Sequence, residues 1–153
     1  MREIRSQIEI EAPVERVWKI LTDFPAYPEW NPFIRSIRGV PHAGRKIEVH
    51  IRPPGRRGMT FNPTVLLSSK NRELRWLGHL LIPGLFDGEH RFVLEPEADG
   101  HTRFVQSERF SGLLAPLLTG MLSGTEHGFE EMNQALKRRA EAYQDGECTD
   151  YPG

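Results

Sequence analysis

The residues best suited to chemistry are a histidine, a glutamate and a glutamine on two segments that fold onto each other. Asp99-Gly100 is a strong hairpin signal between Glu89–Glu95 and His101–Phe110. Side chains alternate along a strand. If Phe92 and Leu94 face inward, so does His90; if Thr102 and Phe104 face inward, so do Gln106, Glu108 and Phe110. Folding about the turn then sets His90 opposite Gln106 or Glu108, within reach across the strands. In apolar surroundings burial disfavours each charge while the partner restores it, which suits a His beside a Glu to proton transfer. The same pair can instead be an ion pair that holds the hairpin register. A slip of one residue would turn both groups to solvent.

The remaining chemistry is sparse. His79 has the opposite parity to Trp76 and is expected to face water or a partner. His42, His50, His101 and His127 are scattered, with no set of carboxylates at metal-ligand spacing, so neither a metal site nor a cofactor is expected. There is no glycine-rich phosphate loop and no nucleophile elbow around Ser107, Ser111 or Ser123. Gly120, Gly124 and Gly128 recur every four residues in a helical stretch, each costing up to about 1 kcal/mol relative to alanine. Thr125, Glu126 and His127 among them exclude a membrane helix-pairing motif. Close packing of the helix on the sheet, or volume left for a ligand, would offset that cost.

Positioning these groups requires a core, and 153 residues suffice for one domain. Hydrophobic residues at 38% and charged residues at 27% describe an ordinary globule, and a net charge of −1 gives no general pull toward nucleic acid or an anionic membrane. The basic cluster Arg52–Arg57 is broken by Pro53, Pro54 and Gly55 and reads as a solvated turn. A single cysteine, Cys148, excludes a disulfide framework and a Cys-rich zinc site and suits a reducing, cytoplasmic compartment. Met1-Arg2-Glu3-Ile4-Arg5 carries charge where a signal peptide has an apolar run. No apolar stretch approaches the ~20 residues that span a bilayer. The expected partner list is therefore short: no nucleic acid, no integral membrane, and a monomer or homodimer.

The elements follow from periodicity. Residues 2–10 alternate, with Ile4, Ile8 and Ile10 on one face, and read as a half-buried strand. Pro13 opens a helix carrying Val14, Val17, Trp18 and Leu21, which the prolines between Phe24 and Pro32 must stop. Six strands then come without an intervening helix: Phe33–Val40, Lys46–Arg52, Met59–Leu67, Glu73–Ile82, Glu89–Glu95 and His101–Phe110. A long helix is expected from near Leu113–Pro116 to Tyr143, with Leu114, Leu117, Leu118, Met121, Thr125, Phe129, Met132 and Leu136 on one stripe. Residues 1–143 form the domain, and 144–153 form a flexible polar tail.

The opening Ile8-Glu9-Ile10-Glu11-Ala12-Pro13-Val14-Glu15-Arg16-Val17-Trp18, then Asp23-Phe24 and Tyr27-Pro28-Glu29-Trp30-Asn31-Pro32, resembles the START/Bet v 1-like (SRPBCC) superfamily, in its polyketide cyclase/dehydrase-like branch. Phe92-Val93-Leu94-Glu95-Pro96 with Gly100-His101-Thr102-Arg103-Phe104 looks like its final hairpin. The resemblance covers roughly residues 3–143 and implies an α+β helix-grip fold: a curved antiparallel sheet of about seven strands wrapped around a long C-terminal helix, with two short helices after the first strand. It also implies a cavity between sheet and helix. Parity lines that cavity with Trp76, His90, Phe92, Phe104, Gln106, Glu108 and Phe110, and the helix adds Leu117, Met121, Thr125, Phe129 and Met132. Leu85 and Phe86, in the glycine-flanked Pro83–Gly88 segment, are the expected lid. Three functions fit. One is binding or transport of a small hydrophobic molecule, such as a lipid, polyketide or aromatic metabolite. Another is a cyclase/dehydrase-like enzyme with His90 or Glu108 moving a proton and Arg109 or Trp76 positioning the substrate. The third is a protein-interaction module resembling the co-chaperone members.

Overall fold

The computed structural model describes residues 2–80, 82–117 and 123–142. The alternating N-terminal segment forms β1 (Arg2–Ile10), with Ile4 and Ile10 buried and Arg5, Gln7 and Glu9 outside. Pro13, whose ring presets φ, then caps α1 (Val14–Thr22); its carbonyl accepts from the Arg16 and Val17 amides at 3.1 and 3.2 Å. Val17, Trp18, Ile20 and Leu21 are the buried face of α1. Pro25 and Pro28 break the next segment into a 3₁₀ turn (Phe24–Ala26) and the single-turn α2 (Tyr27–Trp30). The Tyr27 hydroxyl donates to the Leu21 carbonyl. Burial first, then the nearby Asp23 carboxylate, raises this phenol far above its usual range, so it stays a donor. Asn31 Oδ1 accepts from the amides of Phe33 and Ile34 at 2.9 and 2.8 Å, turning the chain into the sheet.

Two antiparallel ladders make the wall. One holds β2 (Ile34–Arg38), β3 (Glu48–Ile51) and β4 (Met59–Phe61). The other holds β5 (Thr64–Ser69), β6 (Glu73–Leu80), β7 (Phe86–Pro96) and β8 (Thr102–Ser111) in the order β1-β8-β7-β6-β5. A bridge between Lys46 and Thr64, with the Ile47 amide donating to the Pro63 carbonyl at 2.9 Å, joins them into one curved surface. The described residues thus form eight strands rather than about seven. The difference lies in the expected strand Met59–Leu67: Pro63 has no amide to give a ladder, and the chain breaks there into β4 and β5. At the β7–β8 turn Asp99 and Gly100 adopt φ of 65° and 75°, the left-handed conformation the Asp-Gly pair favours.

The curved sheet closes on α3 (Ser123–Ala142), which packs against β1, α1 and β8. At the expected start of the helix, near Leu113–Pro116, the described residues form no α-helix. Ala115–Leu117 is a separate 3₁₀ turn built around Pro116, and the described α-helix starts at Ser123. The expected polar tail, and Leu118, Gly120 and Met121 with it, lie outside the described residues. Thr125, Phe129, Met132 and Leu136 form the buried stripe, with Glu126 and Glu130 exposed opposite. A Cβ on Gly128 would collide with the Phe33 ring, and one on Gly124 would stand 3.1 Å from Pro53 Cβ. Both glycines therefore serve close packing, against side chains of neighbouring segments rather than sheet backbone.

Candidate functional site

The inward face of the β6–β7–β8 sheet changes character along its length. Toward the Asp99-Gly100 turn, Leu74, Phe92, Leu94 and Phe104 are buried, and Phe92 and Phe104 stack with centroids 5.9 Å apart. At the next inward row Trp76 pairs in register with His90, and His90 with Glu108. One row further, Gly78 pairs with Gly88, and Gly88 with Phe110. Two adjacent inward positions there carry no side chain, and a cavity of about 100 Å³ opens over them. The opposite wall comes from the smaller ladder and its flanks: Ile34, Val49, Ile51, Met59, Phe61 and Pro63. Phe33 and Thr125 close it toward the helix. Most of this lining is apolar, and the carboxylate of Glu108 is its principal charge.

His90 is 5% exposed, and its ring is held from every side. Trp76 stacks on it at 5.3 Å and 26°, and Phe129 meets it edge-on at 5.1 Å. Nδ1 lies 3.0 Å from Glu108 Oε1, and Nε2 lies 2.9 Å from Gln106 Oε1. The chain of contacts continues: Gln106 Nε2 donates to Asn133 Oδ1 at 2.9 Å, and Asn133 Nδ2 donates to Ser6 Oγ at 2.8 Å. Ser6 and Gln106 are register partners on β1 and β8, so three strands and α3 meet in one polar row. Inside an otherwise apolar core such a row is stable only because each member has a partner.

At the cavity's outer end, His79 is half-buried and borders the cavity rather than facing only water as its parity predicts, with Nδ1 2.7 Å from Asp87 Oδ1. The Gly84 amide donates to both Asp87 oxygens at 3.2 Å. The hydrogen bond with His79, reinforced by that amide, holds the Asp87 carboxyl below its ordinary range against a smaller opposing effect of burial. Leu113 and Leu114 amides donate to the Gly84 and Leu85 carbonyls, so backbone hydrogen bonds tie this hairpin end to the segment after β8.

The structure therefore gathers Trp76, Phe86, His90, Glu108, Phe110 and Thr125 around the cavity. Phe92, Phe104, Gln106, Phe129 and Met132, expected to line it, do not: all are 0% exposed and form the filled core behind it. Parity placed them on the correct face but could not tell a filled layer from an empty one. The side chain of Leu117 and all of Met121 lie outside the described residues. Of the expected lid, Phe86 belongs to β7, stacked on Phe110 at 5.5 Å and 9°, and is a wall rather than a mobile cover. Leu85 does not reach the cavity, because its backbone is tied to Leu114. Arg109 faces outward, 3.6 Å from Glu3, and positions nothing inside. Sequence reasoning missed Ser6 and Asn133, the whole β2–β4 wall and the Gly78–Gly88 gap. The alternation Ile47, Val49, Ile51 and the inward parity of both glycines were the available signals. Among the described residues no cluster of His, Cys, Asp and Glu could hold a metal ion, and no helix is long and apolar enough to cross a membrane.

A curved antiparallel sheet gripping a C-terminal helix, with a cavity between them, defines the helix-grip architecture of START and Bet v 1-like proteins. The sequence matches the family described as polyketide cyclase / dehydrase and lipid transport over residues 1–141, and the chain belongs to that family. The fold is shared with a START superfamily protein from Mycobacterium smegmatis at 20% identity and a TM-score of 0.69, covering 92% of this chain and 97% of that one. It is also shared with the ZhuI aromatase/cyclase from Streptomyces sp. R1128, at 15% identity and a TM-score of 0.74, covering 95% and 98%. A protein from Mesorhizobium loti is 21% identical with a TM-score of 0.73, covering 94% and 99%. These likenesses concern the fold. No curated protein matches the sequence.

Proposed function

We propose that the chain binds a small, largely apolar molecule in the cavity between its sheet and α3. The observation that carries this reading is the Gly78–Gly88 pair, which removes two side chains from the inward face of an otherwise filled sheet. A protein interior is normally packed to near-crystalline density, so a gap ringed by aromatic groups needs an occupant to recover the lost contacts. The volume of about 100 Å³ suits one ring-sized group rather than an extended chain. A cytoplasmic, monomeric or homodimeric carrier fits this reading. The test is native mass spectrometry of freshly purified protein, wild type beside Gly78→Leu. The glycine has ordinary φ, and an added Cβ meets only Pro63 at 3.6 Å, so the variant folds and fills the cavity. A bound mass present in wild type and absent in the variant is expected. The same bound mass in both would place the ligand elsewhere.

A second reading is favoured by one contact, the 3.0 Å His90–Glu108 pair at the cavity wall. In it the pair moves a proton on the bound molecule, as expected of a cyclase/dehydrase-like enzyme. Once a ligand is identified, conversion that stops in Glu108→Gln while binding persists would support this reading; conversion unchanged in that variant would end it.

A further inference from the structure

The polar row behind the cavity has a direction, and that direction decides what the cavity wall offers a ligand. Asn133 Nδ2 donates to Ser6 Oγ, which leaves Asn133 Oδ1 as the acceptor for Gln106 Nε2. The Gln106 amide is thereby oriented with Oε1 toward His90 Nε2, and an amide oxygen can only accept. His90 Nε2 therefore carries hydrogen. Nδ1 faces a carboxylate oxygen, so that contact also needs a hydrogen between its two ends. Nε2 is thus the donor to Gln106, and a single hydrogen is shared between Nδ1 and Oε1.

Glu108 is left with one oxygen to offer. Oε1 is taken by His90, while Oε2 makes no hydrogen bond among the described residues. Gly88 has no Cβ, and an added one would stand 3.5 Å from Glu108 Cδ and 3.6 Å from both its oxygens, so the glycine leaves room beside the carboxylate. With the shared hydrogen lying between Nδ1 and Oε1, Oε2 is left as an acceptor.

We propose that the cavity selects compact, ring-sized molecules bearing one neutral hydroxyl or N–H donor, seated on Glu108 Oε2. Gln106, Asn133 and Ser6 act as positioning residues, fixing His90 so that Oε2 stays an acceptor. This deepens the ligand-binding reading and rests on it.

The experiment is an NMR titration of the full chain with three probes of similar size: phenol, which donates; anisole, which only accepts; and toluene, which does neither. Phenol is expected to bind at least tenfold more tightly than the others, the effect of one hydrogen bond to a charged acceptor. Glu108→Leu should bring the three together. Glu108→Gln, which keeps the side-chain shape and removes the charge, should shrink the advantage of phenol over anisole. In parallel, ¹⁵N spectra of the ligand-free protein should show hydrogen on His90 Nε2, and Gln106→Leu should disturb that signal. Equal affinities for all three probes in wild type would overturn the donor assignment while leaving the cavity as a binding site. No binding of any probe would overturn the cavity reading together with it. No hydrogen on His90 Nε2 in wild type would overturn the positioning role.

Discussion

The two ends of the β6–β7–β8 sheet are made by the same strands, in the same register, with opposite results. Near the Asp99-Gly100 turn the inward positions are filled, and Leu74, Phe92 and Phe104 are 0% exposed. At the far end the inward positions are Gly78, Gly88 and Phe110, and the sheet is hollow. Between them lies the row Trp76, His90 and Glu108, polar at its centre and satisfied from behind by Gln106. The difference teaches that strand alternation assigns a face, whereas side-chain size along that face assigns a role. A filled end supplies stability. An empty end, at a stability cost, supplies a place for something else.

That contrast can be broken from either side. The largest effect should come from the filled end. Phe92→Ala removes a fully buried ring that contacts Trp76, His90 and Phe104, and should lower the unfolding free energy by about 3–5 kcal/mol in urea. The middle row should respond less. Gln106→Leu keeps the volume but leaves His90 Nε2 and Asn133 Oδ1 facing an apolar group, a loss of about 1–3 kcal/mol in the same assay. Double substitution with Asn133→Leu should cost less than the sum of the singles, because the two share a bond. The smallest effect lies at the outer end. Asp87 has its pKa lowered in the folded state, so its contribution is complete above the unfolded value, near 3.8, and is lost as pH falls below that toward the folded value. Asp87→Asn should therefore melt slightly below wild type near neutrality, with the gap closing under acid conditions. A gap that widens under acid conditions would contradict the hydrogen-bonded role of Asp87.

Much of the fold was legible in the sequence, because its signals were local. Pro13 at a helix entry, Asp99-Gly100 at a turn and the Thr125–Leu136 stripe each express a conformational preference of a few neighbouring residues. The His90–Glu108 pair was legible for the same reason: one turn and one parity rule placed both groups. The cavity was legible only on one side, where Trp76, His90, Glu108 and Phe110 were placed, since much of its other wall arrives from β2–β4, whose approach depends on how far the sheet curves. Pro63 also ends a strand that hydrophobicity alone carried through. Ser6 and Asn133 escaped notice because a small polar residue inside an apolar pattern shows its purpose only when its distant partner is known.

The same row of hydrogen bonds carries a consequence for the order in which the molecule is built. His90 and Glu108 are 18 residues apart across one tight hairpin, whereas Ser6 and Asn133 are separated by 127. Short loops close with little entropy loss and hairpins form within microseconds, while pairing the two ends of a chain is slow. The histidine should therefore meet its carboxylate early in folding. Its amide support is completed only when β1 and α3, the opposite termini of the domain, dock on either side of β8. Until that last step the pair exists without the restraint that fixes its hydrogens, so a chain arrested late in folding would hold the parts of the site and lack its selectivity.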